Sequence, residues 1–281
     1  MAPPDDHLLA ADLAERAGRL LLGLRSQGGD GDPGTLRDAG DRQSHEFLMA
    51  ELARHRPDDA VLSEEGLDDK ERLTAGRVWI VDPLDGTREF GEPGRPDWAV
   101  HVALWTWDAP VGSAGLVAGA VALPAQDLVL CTASPAANGA KRPGRWQSFG
   151  RPSAGVPAAT PPGPGAPRLR MAVSRSRASD LVKDVAKRVD AELVPCGSAG
   201  AKAATVITGG CDAYLHSGGF YEWDTAAPAA VALAAGLHVS RIDGSPVKYN
   251  QDDPLLPDIL ICRPAVAGRL LTAIREATHA I

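Results

Sequence analysis

The chain has 281 residues, enough for one large domain or two modest ones, and its 44% hydrophobic and 23% charged residues compose a globular protein rather than a disordered one. A net charge of −7 and a pI near 5.5 argue against a footprint for polymeric nucleic acid or an anionic membrane, and no uninterrupted apolar run is long enough for a spanning helix. The N-terminus lacks the basic and apolar segments of a signal peptide, and the cysteines, Cys131, Cys196, Cys211 and Cys262, stand too far apart for a metal or redox motif, so reduced thiols in a cytoplasmic protein are expected.

Asp5 and Asp6 are placed to cap a helix from about His7 to Gln27, with Leu9, Leu13, Ala17, Leu20 and Leu24 as its apolar stripe and Gly28-Gly29 as its end. A second helix is predicted from about Asp41 to His55, burying Phe47, Leu48 and Leu52, which makes Asp41 an N-cap. Ala60 to Leu62 reads as a short strand running into Ser63-Glu64-Glu65-Gly66. Adjacent glutamates there are ordinary solvated surface unless other acids converge on them.

The stretch from Val78 to Phe90, V-W-I-V-D-P-L-D-G-T-R-E-F, is the most informative. Its apolar, β-branched first half predicts a buried strand, and Pro83, which has no N–H to donate, predicts where that strand stops. Gly86 permits a tight turn, so Asp82 and Asp85 can aim their carboxylates at one point. As local structure these residues spell an Asx-type turn. As chemistry, the two carboxylates and the Leu84 carbonyl between them are hard oxygen ligands suited to Mg²⁺, with the Thr87 hydroxyl able to hold a water beside it.

Trp98 to Trp107, Ala118 to Leu123 and Asp127 to Thr132 read as further strands, the last two joined by a Pro124-Ala125-Gln126 turn. Strands in succession with few helices predict an antiparallel sheet covered by the first two helices. Ser134 to Pro167 is crowded with Pro, Gly, Ala and Ser and reads as a loose connector with one hairpin near Trp146 to Phe149. The expected organisation is a metal-binding α+β domain over residues 1–133, the connector over 134–167 and an α/β substrate domain over 168–281. In that last part, strands near 168–173, 192–195, 213–216, 237–242 and 258–262 interleave with helices near 178–189, 199–208, 225–235 and 266–278. This rhythm predicts a mostly parallel sheet with its site where strands end and helices begin. Glu222-Trp223-Asp224 precedes the third of these helices, and Asp224 reads locally as its N-cap.

Acid thus stands at three element ends: Glu64, the Asp82 and Asp85 pair, and Asp224. The runs W-I-V-D-P-L-D-G-T, upstream S-E-E-G and downstream W-D-T-A-A-P, in this order, resemble the inositol monophosphatase superfamily of lithium-sensitive, Mg²⁺-dependent phosphatases over about Asp41 to Cys262. The resemblance implies an α/β fold of five layers, αβαβα, with the site between an antiparallel N-terminal sheet and a mainly parallel C-terminal one. It implies Glu64, Asp82, the Leu84 carbonyl, Asp85 and Asp224 as ligands of two or three Mg²⁺ ions. Asp41 and Thr87 are implied to hold and deprotonate the attacking water, the amides of Gly86 and Thr87 to hold phosphate oxygens, and Glu65 to sit on water around the ions.

Members acting on inositol phosphates carry an acid between the D-A-Y strand and W-D; here the segment is L-H-S-G-G-F-Y-E, with His216 nearest that place. V-S-R-S-R and G-S-A-G-A-K instead resemble the 3′(2′),5′-bisphosphate nucleotidase branch, which implies Ser174, Arg177, Ser198 and Lys202 as nucleotide contacts. A His often stands in that branch where this chain has Arg177, and an arginine suits bidentate recognition of a second phosphate. The implied activity is hydrolysis of the 3′-phosphate of 3′-phosphoadenosine 5′-phosphate, clearing a by-product of sulfate activation. The expected partner is a small phosphorylated molecule, and the expected assembly a monomer or homodimer. A sugar phosphatase acting on inositol monophosphate or fructose 1,6-bisphosphate is the nearest alternative. A non-catalytic nucleotide-sensing or protein-binding module is another, although such a chain would be expected to lose an acid, and none is missing.

Overall fold

Helices α1 (Asp6–Gln27) and α2 (Pro33–His55) come first, followed by strands β1 (Ala60–Ser63) and β2 (Arg77–Asp85) and a short helix α3 (Thr87–Gly91). Strands β3 (Ala99–Thr106), β4 (Leu116–Leu123), β5 (Leu128–Cys131) and β6 (Arg145–Ser148) complete a six-stranded sheet in simple sequential order. Then come β7 (Leu169–Ser174), α4 (Asp180–Arg188), β8 (Ala191–Cys196), α5 (Ala199–Ile207), β9 (Ala213–Tyr221), α6 (Glu222–Ala234), β10 (His238–Ser240), β11 (Leu255–Cys262) and α7 (Pro264–Thr278). Their strands form a second sheet in the order β10-β11-β9-β7-β8. This computed structural model describes residues 5–27, 32–110, 112–113, 115–133, 145–149, 168–176 and 178–279; the predicted helix stop at Gly28-Gly29, most of the Pro-rich connector and Arg177 lie outside them.

Three apolar cores separate five layers. Along β2, Trp79 and Val81 pack with α1 and α2, while Val78 and Ile80 on the opposite face pack with residues of α5 and α6. The strand is therefore buried on both sides, which is why it reads as a continuous apolar run rather than a clean alternation. A third cluster joins the far face of the second sheet, through Met171, Leu215 and Leu260, to α4 and α7. The layers run α1/α2, sheet, α5/α6, sheet, α4/α7, matching the expected fold class. Small residues let the middle layer lie close to the first sheet: a Cβ on Gly119 would come within 2.6 Å of the Ala230 Cβ on α6.

Several boundaries differ from the sequence expectations. Helix α2 begins at Pro33, with Asp32 as the cap accepting from the Thr35 N–H at 2.9 Å, so Asp41 lies two turns inside the helix and caps nothing. Strand β2 does not stop at Pro83: its register with β3 slips between Asp82 and Asp85, and this bulge accommodates a residue without an N–H. Of the expected hairpin near Trp146, the described residues form strand β6, paired parallel to β5, and β1 likewise pairs parallel to β2 at the other edge. The second sheet is mixed rather than mostly parallel: β7 runs parallel to both neighbours, whereas β11 is antiparallel to both of its own.

Candidate active site

The β2 bulge sets the geometry. Asp82 is fully enclosed, and its Oδ1 accepts the Leu84 N–H at 3.0 Å, folding the chain back on itself. Ser44 on α2 donates to the Pro83 carbonyl at 2.7 Å, holding the turn against the first helical layer. Gly86 takes a left-handed conformation at φ 84°, as the turn requires, and the chain enters α3 at Thr87. The Thr87 hydroxyl lies 3.1 Å from the Leu84 carbonyl and 3.4 Å from Asp41 Oδ1, so α2 and α3 bring the expected pair together. A glycine makes this approach possible, since a Cβ on Gly40 would meet Phe90 Cε1 at 2.8 Å and Leu84 Cδ2 at 2.9 Å.

The remaining acids arrive from other elements. Glu64 follows directly on β1, still open to solvent on one side, and shares a hydrogen bond with the Asp82 carboxyl. Asp224 sits in the first turn of α6, which begins three residues earlier than predicted. It is not the N-cap; its Oδ2 accepts the Tyr221 N–H at 2.7 Å, the reach-back half of a capping box. Asp85 accepts the Gly200 N–H of α5 at 2.7 Å. Glu65 is exposed.

Electrostatics record how crowded these carboxyls are. Burial, followed by the charges of Glu64, Asp85 and Asp224, lifts Asp82 well above the usual carboxylate range. Glu64 is pushed up to about 7 by the surrounding protein and by Asp224, and Asp224 to about 6 by burial and by Asp85. Asp85 behaves oppositely: burial opposes its ionisation, but the His101 ring, the Lys202 charge and the Gly200 amide together outweigh it and hold it low. Asp41 is raised to about 7 by burial and by Glu65, against the Thr87 hydrogen bond. Carboxyls forced together to the point of retaining protons are what a divalent cation relieves, and an all-oxygen donor set fits a hard ion. Asp82, Asp85 and His101 offer donor atoms within 4.8 Å of one another.

The expected nucleotide contacts fare differently. Ser174 ends β7 level with Cys196, so it lies beside the β8 end that leads into Gly197 and Ser198. Ser198 is buried as the cap of α5, its hydroxyl accepting the Ala201 N–H at 2.9 Å. Lys202 is buried as well: its ammonium donates to the carbonyls of Gly197 and Ser198 and lies 5.4 Å from the Tyr214 ring centre. It shapes the start of α5 and supplies charge to Asp85. His216, on β9, packs against the Phe220 ring with centroids 4.4 Å apart.

Residues the sequence did not single out join the two sheets. Asp97 accepts the Gly197 N–H at 2.6 Å and is paired with Arg95. Arg175, next to Ser174, reaches Glu89 and Glu92 across the join, each at 2.8 Å. Arg72, buried in a short 3-10 turn at Lys70–Leu73, binds Asp68, the Asn250 side chain at 2.7 Å and the Gln251 carbonyl at 2.9 Å. Glu222, two residues before Asp224, accepts the Asn250 and Gln251 N–H groups at 2.7 and 2.8 Å. His101 is the most conspicuous addition. Its only sequence signal is one imidazole in an otherwise apolar strand beside D-P-L-D-G.

The fold and this carboxylate cluster define a class, and comparison with known proteins agrees: the chain belongs to the inositol monophosphatase family, whose profile matches residues 8–279. That family comprises metal-dependent phosphatases. A 3′-phosphoadenosine 5′-phosphate phosphatase of Mycobacterium leprae is 48% identical over 274 residues, covering 96% of this chain and 94% of the relative. The 3′(2′),5′-bisphosphate nucleotidase CysQ of Escherichia coli is 31% identical over 221 residues, covering 78% of this chain and 81% of its own length. The crystal structure of CysQ from Bacteroides thetaiotaomicron superposes with a TM-score of 0.68 at 28% identity, covering 92% of this chain and 97% of that one. Among the described residues, no helix is long and apolar enough to cross a membrane.

Proposed function

We propose that this chain is a Mg²⁺-dependent phosphomonoesterase that removes the 3′-phosphate of 3′-phosphoadenosine 5′-phosphate, giving AMP and phosphate. The observation that carries this reading is the meeting of Glu64, Asp82, Asp85 and Asp224, from three separate elements, where the two sheets join. These carboxylates and the Leu84 carbonyl would hold the ions. Bound Mg²⁺ supplies Lewis acidity, making water more acidic and neutralising charge that builds on phosphoryl oxygens.

The rest falls to the chain itself. Thr87, with its hydroxyl between Asp41 and the Leu84 carbonyl, orients the attacking water, and Asp41 takes its proton. An Asp41 carboxyl raised to about 7 suits that task near neutral pH. The amides of Gly86 and Thr87 face the phosphate, and no covalent side-chain nucleophile is needed, because phosphoryl transfer asks mainly for positioning and charge neutralisation. Choice of substrate rests on the names of the relatives and on the V-S-R-S-R and G-S-A-G-A-K segments, with Ser174 and Arg177 on the nucleotide and Ser198 and Lys202 framing its pocket. A phosphate-release assay comparing 3′-phosphoadenosine 5′-phosphate, inositol 1-phosphate and fructose 1,6-bisphosphate at one Mg²⁺ concentration tests it. The bisphosphate nucleotide is expected to turn over fastest; faster release from inositol 1-phosphate would reject the substrate assignment.

A further inference from the structure

We propose that His101 is a positioning residue that locks Asp85 and the start of α6 to each other, so that Asp85 and Asp224 are presented to the ion at a fixed spacing. The inference rests on the reading above, in which those carboxylates hold Mg²⁺. His101 stands in the middle of β3, opposite Asp82 in the β2–β3 register, on the face that carries Ala99 and Ala103 toward α5 and α6. It has no solvent exposure, so both ring nitrogens must find partners inside the protein.

Nδ1 lies 3.1 Å from the Trp223 carbonyl oxygen, which can only accept, so Nδ1 carries a proton, and Nε2 meets the Asp85 carboxylate as a donor only with a proton of its own. Nε2 lies 3.2 Å from Asp85 Oδ2, the oxygen that also accepts the Gly200 N–H. The ring thereby spans from the Asp85 carboxylate to the main chain one residue before Asp224. The Gly200 hydrogen bond and the close ring contact both bear on Oδ2 and leave the other carboxylate oxygen for the ion. Changing an outer group that orients a ligand in this way typically costs about 10- to 100-fold in metal affinity.

Proximity to Asp82 and Asp85 also makes His101 a candidate ligand, and the packing around it argues against that role. Its Nδ1 is committed to Trp223, and Gly200 closes over the other nitrogen: a Cβ there would lie 2.2 Å from Nε2. The glycine is required because the α5 main chain lies directly against the ring.

Mg²⁺ titration calorimetry on the metal-free full chain at one pH tests the proposal, using the parent, His101→Ala and His101→Asn. His101→Ala is expected to bind Mg²⁺ about 10- to 100-fold more weakly. His101→Asn, whose amide can still donate to the Trp223 carbonyl but does not reach Asp85, recovers part of that loss. The Mg²⁺ concentration for half-maximal phosphate release should shift in parallel. A structural role alone would lower the melting temperature of the metal-free protein and leave Mg²⁺ affinity unchanged. A folded variant that binds Mg²⁺ within about twofold of the parent overturns the proposal, and if His101→Ala does not fold, His101→Asn decides. Loss of Mn²⁺ binding with Mg²⁺ binding intact would make the ring itself a ligand and overturn it too. A parent that takes up no Mg²⁺ rejects the functional reading and this proposal with it, whereas unaffected variants of a parent that binds reject this proposal alone.

Discussion

Gly86 and Ser198 face each other so closely that a Cβ on Gly86 would lie 2.9 Å from the Cβ of Ser198. The turn after Asp85 and the cap of α5 are therefore in direct contact, and one glycine governs how near the two sheets come. Gly86 also sits at φ 84°, where an L side chain is strained. Gly86→Ala is expected to destabilise the protein by about 1–3 kcal/mol from strain alone, with the overlap adding to it. Activity measured well below the melting temperature should fall as well, because the turn carries Asp85 and Thr87. Thermal melts beside kcat/KM check both effects.

Removing one acid should separate function from stability. Asp224→Asn keeps an oxygen for the Tyr221 N–H but removes a charge from a crowded set. Phosphate release is expected to drop on the order of 100-fold, the scale of losing one preorganised electrostatic partner. The metal-free protein at pH 8 should melt no lower than the parent, and a markedly lower melting point would mean that Asp224 serves mainly the helix.

The raised carboxyls also give the metal-free protein an inverted pH response. Glu64 stands at about 7 when folded, against roughly 4 for an unfolded glutamate, and Asp82 and Asp224 are raised as well. The folded state therefore holds protons that the unfolded state has released, so stability is greatest below about pH 4 for these groups and is lost as pH rises through about 7. Other groups respond differently at the acid end, which makes pH 5 to 8 the informative window. Melting temperature in chelator should decline across it, and added Mg²⁺ should restore more at pH 8 than at pH 5. A flat profile in both buffers would contradict the crowding.

Arg72 offers a test remote from the chemistry. Arg72→Met removes the partner of Asp68, Asn250 and the Gln251 carbonyl from a buried position and is expected to cost about 3 kcal/mol. Urea denaturation measures it. Since Asn250 and Gln251 also bind Glu222 at the start of α6, Mg²⁺ affinity should weaken along with stability.

Much of the fold was legible in the sequence because the chain obeys its local rules. The β2 and β3 runs, the Ala-rich α6 and the βα rhythm beyond residue 168 each state their type in composition and period. What escaped is set by long-range contact. No local pattern tells that β11 runs antiparallel to β9, or that Arg145–Ser148, set in a Pro- and Gly-rich context, pairs beside β5. The start of α2 was present in the sequence: Asp32-Pro33-Gly34-Thr35 is a cap followed by a first-turn proline, and Asp41, an equally good cap residue by type, lies inside the helix.

Within the candidate site, the Asp82, Asp85 and Thr87 turn came from local chemistry and the other acids from the family resemblance, and the structure brings them into one neighbourhood. The burial of Lys202 was not legible, because its ammonium bends back onto the Gly197 and Ser198 carbonyls, a contact set by the fold of the α5 start. His101 escaped because a lone histidine in a strand most often signifies nothing beyond a satisfied core residue.

Strand β1 is four residues long and lies at the edge of its sheet, with β2 as its one neighbour among the described residues, yet Glu64 follows immediately on its last residue. Of the acids gathered here, Glu64 alone hangs from a short edge strand, tied to the core chiefly through Leu62. Deuterium uptake at the amides of residues 60–64 should therefore be the earliest reporter of cation departure, quickening in chelator while the ladder between β2 and β3 stays silent.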